Sequence, residues 1–151
     1  MNFEEHSAKP LLASCGIEIP RGCLAVTPAD AAVIALSMGY CVVKAQVPIG
    51  QRGKAGGIRL ADTPIAARNH AEDILGMTIG EHVVSSVLVE QRFNVVQELY
   101  AAVVNDVESK GPLVLFSAQG GMNIEEVAGG IPTKVKSCPV AVSYTHLRAH
   151  E

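Results

Sequence analysis

Short runs of β-branched and small apolar residues alternate along this chain with segments whose apolar positions recur every three or four residues. That change of period predicts strands interleaved with helices. Glu4 to Ser14 sets Ala8, Leu11, Leu12 and Cys15 at helical spacing, with Gly16 placed to end the helix. Cys23 to Val26 reads as a short strand. Thr27-Pro28 is a helix start, a capping hydroxyl followed by a proline whose fixed φ suits the first helical position. Ala31, Ile34, Ala35 and Met38 then share one face, and Gly39 stops it. A strand over Cys41 to Ala45, a glycine-rich loop and a strand near Gly57 to Ala61 follow. Thr63-Pro64 repeats the start signal, with Ala67, Ala71, Ile74 and Leu75 on one face and Gly76 at the end. The two Thr-Pro starts are one local solution used twice, not a mark of duplication. Val84 to Glu90 and Pro112 to Ser117 read as strands, and Asn123 to Ala128 as a short helix. The pattern is α/β of the α+β kind, mixed sheets flanked by helices.

Val95 to Val107 fits either structure on pattern alone. Its apolar residues at 95, 96, 99, 100, 103 and 104 suit a helix, whereas Tyr100 and Val103-Val104 are at ease in a strand.

Composition narrows the class without naming a function. At 151 residues, 48% apolar and 18% charged, the chain has the length of one domain and enough apolar content for a core. A net charge of −3 with no basic face apart from one loop gives no sign of nucleic-acid or anionic-membrane binding. No apolar run reaches membrane-spanning length, and the acidic start lacks the features of a secretory signal. A soluble cytoplasmic protein is the expectation. Cys15, Cys23, Cys41 and Cys138 show no metal-ligand spacing and are expected to be reduced and packed as small hydrophobes.

The chemistry concentrates in one stretch. Val42-Val43-Lys44-Ala45-Gln46-Val47 leads into Gly50-Gln51-Arg52-Gly53-Lys54-Ala55-Gly56-Gly57. Glycines allow close backbone approach, and successive N–H groups can line a concavity for phosphate oxygens. Lys44, Arg52 and Lys54 add positive charge there. The spacing is neither a P-loop nor a dinucleotide fingerprint. A solvated hairpin whose glycines serve only the turn is the plain alternative. Lys44, flanked by apolar residues, must emerge at an edge or meet an anion.

From Met1 to about Pro132 the chain resembles the amino-terminal part of the β subunit of succinate–CoA ligase, an ATP-grasp family. The resemblance is carried in order by Met1-Asn2-Phe3-Glu4-Glu5, Ala8-Lys9, Leu11-Leu12, Gly16-Ile17, Ile19-Pro20-Arg21-Gly22 and Thr27-Pro28. It continues through Val42 to Gln46, Arg52 to Gly57, Val87-Leu88-Val89-Glu90, Glu98-Leu99-Tyr100, Gly120-Gly121-Met122 and Ile124 to Ala128. It implies an ATP-grasp fold and makes Glu98 to Asp106 a strand.

The resemblance also implies roles. Lys44 is similar to the strand lysine that contacts the nucleotide, and Gln51, Arg52 and Gly53 map onto the loop that folds over the phosphates of ATP or GTP. Pro48-Ile49-Gly50-Gln51 stands where the family usually has His-Ala-Gly-Gly, and Gln51 is not expected to reach the positive φ open to glycine. Glu90 and Glu98 match acids that line the pocket near ribose and base, Phe93 a position whose backbone touches the base, and Pro20 one beside the nucleotide entrance. The alternatives are two solvated acids, a packing side chain and a rigid turn. Gly120-Gly121-Met122-Asn123 reads better as a tight turn than as an anion site, and Gln119 and Asn123 replace acids usual in the family.

The family joins a carboxylic acid to coenzyme A with ATP and Mg2+, and a histidine of the partner α subunit carries the phosphoryl group. The Mg2+ ligands of the family lie beyond the part resembled here. Residues 1–142 are therefore expected to form a partial ATP-grasp domain, residues 143–151 a foreign tail, and the chain a truncated ligase inactive by itself. Truncation would leave Val87 to Glu90 and Pro112 to Ser117 short of strand neighbours and prone to self-association. A noncatalytic nucleotide-binding module, or part of a ligase for another acid such as malate or acetate, are the other readings.

Overall fold

The computed structural model describes residues 3–107, 110–118, 120 and 135–140. The chain divides into two compact units, Met1–Asn94 and Val95–Glu151.

In the first unit, α1 (Glu5–Ser14), β1 (Gly22–Ala25), α2 (Pro28–Met38), β2 (Cys41–Ala45), β3 (Ile58–Ala61) and α3 (Pro64–Ile74) follow in order. The short pair β4 (Thr78–Ile79) and β5 (His82–Val83) then leads to β6 (Val87–Gln91). Four strands form an antiparallel sheet in the order β1-β6-β2-β3. Register places Val43 opposite Val89 and Ala45 opposite Val87, so these side chains share a face with Ala25. All five are buried, together with Ala31 and Ala35 of α2 and Ala67, Ala71 and Ile74 of α3. Alanines four apart on both helices let the two backbones approach closely above the sheet. Thr27 and Thr63 cap these helices as the sequence predicts, their hydroxyls accepting from the N–H of Asp30 and Ala66 at 3.1 Å each.

The opposite face of the sheet carries Leu24, Val42, Lys44, Leu88 and Glu90, because these positions alternate with the buried set. Here α1 departs from expectation. None of its residues is buried, and Leu11 and Leu12 are 54% and 45% exposed. Helical spacing supplies an apolar stripe, but only a neighbouring surface can bury it. Gly16, with φ +80, ends α1 as expected.

The strand expected over Val84 to Glu90 begins only at Val87. Val84 instead exchanges backbone bonds with the turn after α3, donating to Met77 O at 2.9 Å and accepting from Gly76 N at 2.8 Å. Nor does β6 lack neighbours: it lies between β1 and β2. Of the cysteines, Cys41 is buried, whereas Cys15, Cys23 and Cys138 are free and exposed, contrary to the expected packing. Burial pushes the Cys41 thiol up.

The second unit holds β7 (Tyr100–Asp106), β8 (Gly111–Ser117) and β9 (Lys136–Pro139), an antiparallel sheet in that order. The segment ambiguous on period is thus a strand from Tyr100, and β8, expected at an edge, is central. Gly120 N donates to Glu98 O at 2.9 Å, and an added Cβ at Gly120 would lie 2.8 Å from Leu99 backbone atoms. The helix expected at Asn123 to Ala128, Gln119 and the tail at 143–151 lie outside the described residues.

Candidate functional site

On the face of the sheet turned away from α2 and α3, β2 presents Lys44 and β6 presents Glu90, diagonal neighbours across the two strands. Glu90 is 2% exposed, so its charge demands partners. It receives two ammonium groups, Lys44 Nζ at 2.5 Å and Lys9 Nζ on α1. Glu5, one helical turn before Lys9, supplies the second carboxylate. Its Oε1 takes Lys44 Nζ and Lys9 Nζ at 3.0 Å each, and its Oε2 takes Arg52 at 2.8 Å. Arg52 also donates to Ala45 O at 2.9 Å, which fixes the guanidinium against the end of β2. Three cations and two carboxylates thus form one network with a net charge of +1.

The backbone of α1 is fastened to the same strand end. His6 N donates to Gln46 Oε1 at 2.9 Å, and Gln46 Nε2 donates to Lys44 O and Ala45 O at 3.1 Å. With no buried apolar residue of its own, α1 is held at this end chiefly by polar contacts.

The network sets the charge of its members. Burial is the largest single influence on Glu5 and pulls its carboxyl upward. The charge and hydrogen bonding of Lys44, joined by Lys9, together outweigh it and hold the group at about 2. Burial pushes Lys9 below its ordinary value, against the pull of Glu5.

The structure brings together Lys44, Arg52 and Glu90 of the residues singled out in the sequence. Gln51 and Gly53 sit in the adjoining loop. Gln51 takes φ +60, the left-handed conformation expected to need glycine. The amides of Ala55, Gly56 and Gly57 bond back to Gln51 O, Gly53 O and Arg52 O. They turn inward, so this part of the loop does not offer the concavity of N–H groups that the glycines suggest. Gly57 serves close packing instead: a Cβ there would lie 2.9 Å from Ile79 Cδ1 and 3.0 Å from Ala45 Cβ.

Pro20 borders a cavity of about 200 Å3 that also meets Lys9, His6, Gly22 and Leu88. Phe93 is 55% exposed and lines a separate crevice with Tyr40 and Arg92. Glu98 is exposed and belongs to the second unit. Glu5 and Lys9 were not singled out as site residues in the sequence. Their signal was an acid four residues before a base on a predicted helix, together with the need of Lys44 for an anion.

Among the described residues no three His, Cys, Asp or Glu side chains gather to hold a metal ion, and no helix is long and apolar enough to cross a membrane.

The chain belongs to the ATP-grasp domain family, whose pattern it matches over residues 2–150. It is 45% identical over 145 residues to the β subunit of an ADP-forming succinate–CoA ligase from Gemmatimonas aurantiaca, covering 95% of this chain and 38% of that protein. A GDP-forming succinate–CoA ligase β subunit from Thermus thermophilus is 43% identical over 136 residues, 89% of this chain and 36% of that one. The chain therefore spans little more than a third of the length of these curated relatives. Among solved structures it is similar to the dinucleotide-forming acetyl-coenzyme A synthetase 1 of Ca. Korarchaeum cryptofilum in complex with coenzyme A, Ca-AMPCP and HgCl+. There the TM-score is 0.75 at 22% identity, over 94% of this chain and 62% of that one. ATP citrate lyase from Methanothrix soehngenii in complex with citrate and coenzyme A gives 0.67 at 22% identity, over 95% and 35%. At such identity the likeness is one of fold.

Proposed function

We propose that this chain binds the phosphates of ATP or GTP through Lys44 and Arg52, as the nucleotide-binding portion of a succinate–CoA ligase β subunit. In this reading Gln51 and Gly53 shape the loop over the phosphates. Phe93 serves the base side, Pro20 borders the entrance, and Glu90, buried beneath Lys44 and Lys9, holds those two cations. The observation that carries the reading is the convergence of Lys44 and Arg52, from a strand and a loop, on one carboxylate at 3.0 and 2.8 Å. Donors that share one anionic oxygen pair have the spacing a phosphate group needs. Their role is to offset charge on the transferring phosphoryl group rather than to form bonds with it. Charge stabilisation by these cations is the chemistry assigned to them.

Succinate, coenzyme A, an α subunit and a cytoplasmic setting belong to the same proposal, supported by the identity to ligase β subunits. Titration of the purified chain with ATP and with GTP, read by calorimetry, tests the nucleotide step. Lys44→Ala is expected to weaken binding about tenfold or more. Equal affinity in wild type and variant, or no binding at millimolar nucleotide, would refute it.

A further inference from the structure

Resting on that nucleotide reading, we propose that Glu5 is a positioning residue, holding Lys44 and Arg52 in the arrangement that receives the phosphates. Lysine and arginine side chains are long, and each loses rotamer freedom when fixed. Lys44 leaves the sheet face near the end of β2 and Arg52 stands on a loop, so the two reach one point from separate pieces of backbone. Glu5 joins them from α1, with one oxygen on Lys44 at 3.0 Å and the other on Arg52 at 2.8 Å.

The remaining contacts set limits on the two cations. Glu90 restrains Lys44 from below at 2.5 Å, and Ala45 O restrains Arg52 at 2.9 Å. Among the described residues, only Glu5 forms an ion pair with both. Lys9 reaches both carboxylates, so the network keeps a surplus positive charge while its members stay fixed. A phosphate arriving there meets donors already oriented, which removes part of the ordering cost from binding. The first turn of α1 is thereby part of the site although it is 39 residues from Lys44 in sequence.

The test compares wild type, Glu5→Gln and Lys44→Ala as the full chain, titrated with ATP and, separately, with adenosine. Glu5→Gln keeps the shape of the side chain and removes its charge. It is expected to lower affinity for ATP about tenfold while leaving adenosine binding unchanged, so the ratio of the two affinities falls about tenfold. A lesion that merely loosened the fold would weaken both ligands alike and overturn the proposal. Unchanged ATP affinity would overturn it, and so would tighter ATP binding, which would make Glu5 a competitor of the phosphates. Wild-type chain that binds no ATP, or Lys44→Ala indistinguishable from wild type, would instead sink the nucleotide reading and the proposal with it. If Glu5→Gln does not fold, Glu5→Asp, which retains charge but withdraws the carboxylate by one methylene, is scored by the same ratio with the same consequences.

Discussion

Glu5 makes the stability of this chain depend on pH in a calculable way. Its carboxyl is held at about 2 against an ordinary 4.5. That difference converts, at about 1.4 kcal/mol per pH unit, to roughly 3 kcal/mol of stability at neutral pH. With 19% of the side chain open to solvent, screening lowers the expected contribution to about 1–2 kcal/mol. The sign follows from the direction. The folded value lies below the unfolded one, so the unfolded chain takes up the proton first as pH falls. The stabilisation is complete above the unfolded value of 4.5 and drains away as pH drops toward about 2. Urea unfolding of wild type and Glu5→Gln, followed by far-ultraviolet circular dichroism from neutral pH down to about pH 3, measures the gap directly. Wild type is expected to be more stable by about 1–2 kcal/mol at neutral pH, with the gap closing in acid. A neutral-pH gap under about 0.3 kcal/mol, or one that stays constant into acid, would refute the reasoning.

Gly57→Ala is expected to destabilise by about 1–3 kcal/mol, since its Cβ would press on Ile79 and on Ala45 in β2; an unchanged urea midpoint would show that the loop yields freely. Thr63→Ala removes the cap of α3 and is expected to cost about 1 kcal/mol. Equal thermal midpoints for that variant and wild type would show that another group serves the Ala66 amide. Cys41, buried in β2, is expected to react with a thiol reagent far more slowly than Cys15 or Cys23 in the folded chain, and faster labelling at Cys41 would contradict its placement.

Much of the first unit was legible because its signals are local. The Thr-Pro caps of α2 and α3 act within three residues. The alternation in Cys41–Ala45 sorts its own side chains to two faces. The alanine faces of α2 and α3 were readable from helical period and are buried as expected. Features that depend on a distant surface were less legible. The stripe on α1 looked like a core face and is exposed. Val84 to Glu90 looked continuous, yet backbone bonds from Gly76 and Met77 divert its first residues. Gln51 adopts a conformation that its side chain disfavours, a choice made by the loop rather than by the residue.

The sequence by itself determined the helix starts, the strand that carries Lys44 and the demand of that lysine for an anion, because propensity, capping and desolvation act over a few residues. Tertiary structure alone decided which anions answer. Glu5 and Glu90 lie 39 and 46 residues from Lys44 along the chain. They meet it only because the antiparallel register sets Glu90 beside β2 and the polar docking of α1 brings Glu5 over the same face. Coulomb attraction and burial depend on distance in space, and spacing along the chain does not carry that information.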